Sequence, residues 1–198
     1  MGLRGDYLEF INSNIQKIYP NFNGVKMLEL GDQVITRKEP ILERTGKEYF
    51  TKLGFDHTSV DLNGLNGSIV KDLRDETQFE EWKECFDVLT NSGTTEHVEP
   101  HHNQFECFKI IHTVIKPGGL MIHLVPDIVE RDQNSKWGKH CTNYYSSDFF
   151  EMLANHCNYE ILENKVINGL RCVALRKTND NFMSEKEIFL HLIEQRNI

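Results

Sequence analysis

One nine-residue stretch, Val25-Lys26-Met27-Leu28-Glu29-Leu30-Gly31-Asp32-Gln33, constrains this chain more than any other. A short apolar run that ends in an acid and then a glycine reads as the first strand of an open α/β sheet, turning sharply into a loop that faces a ligand. Gly31 lets the backbone bend where a side chain would block close approach, and Glu29, just before the turn, can accept hydrogen bonds from a ligand. The pattern asks for a nucleotide-like cofactor. A dinucleotide pyrophosphate requires G-x-G-x-x-G at such a turn, because the backbone must approach two phosphates and hold them on a helix N-terminus. From Gly31 the chain reads Gly-Asp-Gln-Val-Ile-Thr, so NAD and FAD are disfavoured. No G-x-x-x-x-G-K-[ST] stretch supplies a Walker-type cradle either. A cofactor with adenosine but no phosphate remains.

Bulk properties narrow the partners. The 198 residues suffice for one domain with a substantial core, and a single domain over 1–198 is expected, with an N-terminal helix in 1–20, a sheet core over 25–177 and a terminal helix over 184–197. The net charge of −8 lacks the electrostatic footprint of a duplex-binding protein, so no nucleic-acid partner is expected. Five cysteines without a C-x-x-C pair suggest free thiols in a reducing compartment. No apolar stretch approaches the roughly 20 residues of a membrane helix, and no leader pattern opens the chain, so a cytoplasmic protein without a membrane partner is the expectation.

Along the chain, residues 6–19 carry Leu8, Ile11, Ile15 and Ile18 at helical spacing. A second helix is predicted over 39–53 with Ile41, Leu42, Tyr49, Phe50 and Leu53 inward, preceded by a solvent-facing Arg37, Lys38 pair and closed by Gly54. Strands are predicted at Thr58 to Leu62, Phe86 to Asn91 and Leu120 to Val125. Two Asn-Gly pairs over 61–67 mark turns at a carboxyl strand end. The segment 90–104 follows a strand and combines Gly93 and small hydroxyl residues with Glu96, His97, His101 and His102, a ligand-facing loop rich in protonatable groups. His97 and His101 share the i, i+4 spacing that on a helix can hold a metal, against which Pro100 weighs. His123 interrupts an otherwise apolar strand, either hydrogen-bonded in the core or reaching the pocket. The loop 126–145 mixes Asp127, Trp137, His140, Asn143, Tyr144 and Tyr145, the composition of a specificity loop. Trp137 and the two tyrosines pack either against a sugar face or as a cap on the next helix. The Asn168-Gly169 pair signals a closing hairpin, and 184–196 an amphipathic helix that packs on the domain or on a partner subunit, leaving a homo-oligomer open.

Taken together, Glu29-Leu30-Gly31, Asp61 after the second strand, Asp72 in Val70-Lys71-Asp72-Leu73, Phe86 to Asn91, and Lys116-Pro117-Gly118-Gly119 before the fifth strand resemble the class I S-adenosylmethionine-dependent methyltransferases. The resemblance covers roughly residues 25 to 177, and departs from the family where Gln33 and Ile35 replace two further turn glycines. It implies a Rossmann-like α/β fold with a mostly parallel seven-stranded sheet, an antiparallel C-terminal hairpin and helices on both faces. It also implies S-adenosyl-L-methionine as cofactor, held by Glu29, Gly31, Gln33, Asp61, Leu62, Asp72, Asn91 and Gly93, with Asp61 on the ribose hydroxyls and Asp72 near the adenine.

The implied reaction is in-line methyl transfer to an acceptor heteroatom. An alcohol acceptor must lose a proton, for which His97 and His140 are candidate bases and Asp127 an orienter or direct base. A divalent metal held by Asp127 with Asn91 or a histidine is the alternative. The histidine-rich loop, Met121-Ile122-His123 and the segment 140–150 resemble methyltransferases of sugar and surface-glycan gene sets, including those of large algal viruses, which implies O-methylation of a glycan or other small-molecule hydroxyl. A phenolic metabolite acceptor, and a non-catalytic Rossmann-like interaction domain, are the competing readings.

Overall fold

A computed structural model describes residues 2–36 and 41–195. In chain order its elements are β1 (Gly2–Leu3), α1 (Gly5–Ile18), β2 (Lys26–Leu30), β3 (Val34–Ile35), α2 (Gly46–Lys52), β4 (Asp56–Val60), β5 (Phe86–Ser92), α3 (Asn103–Val114), β6 (Ile115–Pro126), β7 (Asn143–Tyr145), α4 (Ser147–Cys157), β8 (Tyr159–Ile167), β9 (Leu170–Lys177), α5 (Lys186–His191) and β10 (Ile193–Gln195). Six strands form the main sheet in the order β4-β2-β5-β6-β9-β8. The first four run parallel, while β9 and β8 pair antiparallel. The sheet is therefore mixed and six-stranded, not the expected seven-stranded one. Around 70–73, where a further strand would fall, the chain makes only an isolated Val60–Ile69 bridge beside β4, and the Asp72 N–H is taken by the Gln78 side chain.

Alternation along β2 splits its side chains between two cores. Leu28 and Leu30 join α3, α4 and α5 on one face, where Phe108 packs with His123, Tyr145, Phe149 and Phe189. Met27 joins α1, Phe50 and Trp137 on the other. Helix α1 starts at Gly5 and buries Leu8, Ile11 and Ile15 as the spacing predicts. Helix α2 is shorter than expected: Thr45 caps it in a reciprocal capping box with Glu48, which fixes the start at Gly46 rather than at position 39. Leu42 is 84% exposed as a result, and Leu53 also lies at the surface, while Phe50 is buried. The Arg37, Lys38 pair and the first positions of the expected helix lie outside the described residues.

Strand β6 begins at Ile115, earlier than the predicted Leu120, and its register with β5 jumps from Phe86↔Ile115 to Val88↔Leu120, so the Pro117-Gly118-Gly119 turn is a bulge within it. The hairpin turn puts Asn168 and Gly169 at φ 49° and 79°. The expected C-terminal helix is also cut short. After α5, Ile193–Gln195 pairs antiparallel with β7, and Arg196 and residue 197 lie outside the described residues. Lys177 is fully buried yet satisfied, its Nζ donating to the His112 and Ile115 carbonyls at 2.9 Å each and to Asp180 at 2.8 Å.

Two histidines are built into the core. Asn91 Nδ2 lies 3.1 Å from His123 Nδ1, and His112 Nδ1 lies 2.6 Å from the Tyr159 hydroxyl. Burial pushes His123 down to about 3 and His112 down to about 4 from an ordinary 6.5. Between those values and 6.5 the unfolded chain binds protons that the folded chain refuses, so stability present above about pH 6.5 is lost as pH falls through the window. Between pH 6.5 and 4.5 the melting temperature of His123→Gln should fall less on acidification than that of the wild-type chain, since the buried carboxyls Glu29 and Glu96, which are raised and act in the opposite sense, are common to both. An identical slope in that variant would contradict the assignment.

Candidate active site

The chain leaves β2 for β4 on one side and returns through β5 on the other, so the carboxyl ends of these three strands diverge at a topological switch point. A cavity of about 490 Å³ opens there, floored by Gly31 after β2, Asp61 after β4 and Gly93 after β5. Gly31 holds φ +87° and its N–H donates to the Val60 carbonyl at 2.8 Å, tying the turn to β4. A Cβ there would meet Thr94 Oγ1 at 2.5 Å and Gln33 Nε2 at 2.6 Å, so only glycine fits beneath the cavity.

The Asp61 carboxylate accepts from the Asp32 N–H at 2.8 Å and the Asn63 N–H at 3.0 Å, which aims it across the cavity mouth and leaves each oxygen a second lone pair. Asp72 is gripped by Arg74 Nε and Nη2 at 2.9 and 2.6 Å, and that guanidinium holds its carboxyl below the ordinary value. Gln33 folds back under the turn, with Nε2 at 3.4 Å from both the Leu30 carbonyl and Thr94 Oγ1. Its Oε1 is buried without a partner, an acceptor awaiting a donor. Leu62, Gly93 and His97 also line the space. Asp32, Asp61, Asp72 and Glu99 outnumber Lys71 and Arg74 in the lining, a balance that suits a cationic ligand.

Two expected cofactor ligands point elsewhere. Glu29 turns into the opposite core, 3.3 Å from His57 Nε2, with Gly46 packed so closely that a Cβ there would lie 2.2 Å from Glu29 Oε1. Burial raises its carboxyl, partly offset by the hydrogen bond to His57. Asn91 is fully buried, donating to Thr95 Oγ1 at 2.8 Å and accepting from the Thr95 N–H at 3.2 Å, so it braces the loop over the cavity rather than lining it.

The acceptor side departs further from expectation. Asp127 is completely buried; Arg171 Nε and Nη2 hold its carboxylate at 2.7 and 2.5 Å, and the Val129 N–H donates to it at 3.0 Å. It is away from the cavity lining and has no freedom to act as base or, with the equally occupied Asn91, as a metal ligand. Trp137, Tyr144 and Tyr145 are likewise buried: Trp137 Nε1 donates to the Asn168 carbonyl, Tyr144 to the Trp137 carbonyl and Tyr145 to Gln104. They form a packed cap, not a sugar platform. His101 is bracketed by Asn143 Oδ1 at 2.8 Å and the Leu190 carbonyl at 3.1 Å, which breaks the proposed i, i+4 pair with His97. His123 takes the core alternative.

His97 and His140 come together, their rings 5.0 Å apart and nearly perpendicular, with His97 at the cavity wall. Beside them lies Glu96, a residue the expected site set omits, whose Oε1 is 4.0 Å from His97 Nε2. Burial pushes the Glu96 carboxyl up to about 8 and lowers both imidazoles, His97 further through His140. Its adjacency to His97 was visible in the sequence; the approach of His140, more than forty residues on, was not.

No family model matches the chain, and no curated protein matches it. Solved structures do. The 1,6-didemethyltoxoflavin-N1-methyltransferase of Burkholderia thailandensis, with 1,6-didemethyltoxoflavin and S-adenosylhomocysteine bound, has a TM-score of 0.59 at 13% identity over 86% of this chain and 79% of that one. The N-methyltransferase NodS of Bradyrhizobium japonicum, in complex with S-adenosylhomocysteine, gives 0.58 at 12% identity over 89% of each chain. An O-methyltransferase family protein from Burkholderia thailandensis gives 0.57 at 10% identity over 88% of this chain and 57% of that one. The chain has the Rossmann-like fold of the S-adenosylmethionine-dependent methyltransferases. Among the described residues no helix is long and apolar enough to cross a membrane.

Arg171→Ala should cost about 3–5 kcal/mol in urea denaturation, because it strands the buried Asp127 carboxylate. A loss under about 1 kcal/mol would return Asp127 to the list of candidate reacting groups.

Proposed function

We propose that this chain is an S-adenosylmethionine-dependent methyltransferase that methylates a hydroxyl of a sugar or similarly hydroxylated small molecule. The observation that carries the reading is the acid-and-glycine cavity at the switch point, with His97 on its wall and Gln33, whose buried Oε1 has no partner, in its lining. S-adenosylmethionine, when bound, supplies a methyl group on a positively charged sulfur. Gly31 and Gly93 let the backbone approach it, Asp61 accepts from vicinal ribose hydroxyls, Leu62 and Asp72 border the adenine, and Gln33 Oε1 accepts from an ammonium. The acidic lining favours the cation. His97 keeps an unprotonated lone pair at neutral pH and faces the space where an acceptor hydroxyl would lie, with His140 behind it. Holding the acceptor there contributes rate by removing the entropy of encounter. The choice of a sugar hydroxyl rests on the sequence resemblance, since methyltransferases with this fold include nitrogen, oxygen and carbon enzymes.

The test is transfer of labelled methyl from S-adenosylmethionine across a panel of sugar, sugar-nucleotide and phenolic acceptors. His97→Ala should lower turnover by about 100-fold or more while S-adenosylhomocysteine affinity changes little. Equal losses in both would reduce His97 to a wall of the pocket. Asp61→Ala should weaken S-adenosylhomocysteine binding by about tenfold or more, the cost of a lost charge-assisted pair. A wild-type chain that binds no S-adenosylhomocysteine would favour the interaction-domain reading.

A further inference from the structure

Glu96 sits on a single 3-10 turn, Thr95–His97, and its side chain is fully buried with neither carboxylate oxygen hydrogen-bonded. A buried carboxyl group without side-chain donors is costly, and its own backbone N–H offsets that only in part. His140 Nε2 is a second buried polar atom without a partner. One ligand atom from each of Glu96, His97 and His140 lies within 4.8 Å of the other two, and among the described residues these three are the group so arranged. The His97 side chain is 47% exposed and lines the large cavity, so the cluster has one open side.

Two imidazoles and one carboxylate with an open position make the ligand set of catalytic zinc sites. We propose that Glu96, His97 and His140 bind a single Zn²⁺ ion at the cavity wall, with the acceptor side of the cavity as its fourth direction. Ligand bonds of about 2.0–2.3 Å require the three donor atoms to draw in by roughly an ångström. The parts that hold them permit a small movement: His97 is half exposed, while Glu96 and His140 are braced from behind. The Glu96 carbonyl accepts from Asn143 Nδ2 at 3.1 Å, and the His140 ring packs edge-on to Trp137 at 5.1 Å. In this arrangement the ion lowers the pKa of an acceptor hydroxyl, so the His97 lone pair serves the reaction through the metal. That role rests on the methyltransferase reading, whereas the site rests on its own three side chains.

The experiment is calorimetric titration of Zn²⁺ into the metal-stripped full chain at neutral pH, with neither S-adenosylmethionine nor acceptor present. One ion per chain is expected, with affinity reduced by at least about tenfold in both Glu96→Gln and His140→Ala. Melting curves in chelator check that each variant folds, and Glu96→Gln, which keeps the shape of the side chain, decides if His140→Ala does not. Absence of saturable uptake, or uptake undiminished in Glu96→Gln, overturns the proposal, the latter placing the ion on other histidines. S-adenosylhomocysteine binding measured in chelator tests the methyltransferase reading separately, so either can fail alone.

Discussion

The turn at Gly31 sets the geometry on which the rest depends. Its positive φ and its N–H bond to the Val60 carbonyl hold the end of β2 against the end of β4, while Thr94 Oγ1 donates to the Leu30 carbonyl at 2.8 Å and pulls the loop after β5 over the same point. Three parallel strands thus stop level with one another and their loops must part, which opens a concave, partly desolvated space at the edge of an otherwise close-packed sheet. A side chain at position 31 would collide with Gln33 and Thr94 together. The cavity is therefore a property of strand connectivity and one backbone conformation, and the polar residues around it are secondary choices made on that frame.

Those choices divide the polar groups into two populations. Glu29 with His57, Asp127 with Arg171, Lys177 with two carbonyls, and Asn91 with Thr95 and His123 are buried and engaged, and they hold loops and sheet together. Gln33 Oε1, both Glu96 oxygens and His140 Nε2 are buried and unengaged beside or beneath the cavity, while other atoms left so, such as the Tyr7 hydroxyl and Asn12 Oδ1 on α1, lie away from it. Unsatisfied buried polar atoms oppose folding, so each of the four beside the cavity carries a cost that a bound ligand or ion would offset.

Much of this was legible in the sequence. The Val25 to Gln33 stretch, the turns over 61–67 and the Asn168-Gly169 hairpin are local signals, set by residues within a few positions of one another, and they fall where predicted. Gly31, Gln33, Asp61, Leu62 and Gly93 line the cavity because a residue just past a strand end has little choice but to face it, and Asp72 and His97, on irregular segments further along, line it too. What escaped depends on distant partners. Period-two alternation put Glu29 on a face of β2 without revealing that His57 and Gly46 would receive it, and nothing near Asp127 announces Arg171. The same limit explains why Trp137 and the tyrosines, polar-tipped and able to suit either a sugar or a core, went to the core, and why Ile193–Gln195 left a helical pattern to pair with β7.

The central claim is that the cavity at the ends of β2, β4 and β5 holds an S-adenosyl cofactor. Amide hydrogen exchange with and without S-adenosylhomocysteine tests it most directly. Slowed exchange confined to the loops around Gly31 to Gln33, Asp61 to Asn63, Asp72 and Gly93 to His97 is the result this account requires. Unchanged exchange there, or protection appearing instead at the groove between Glu76, Lys109 and Phe182, would contradict it.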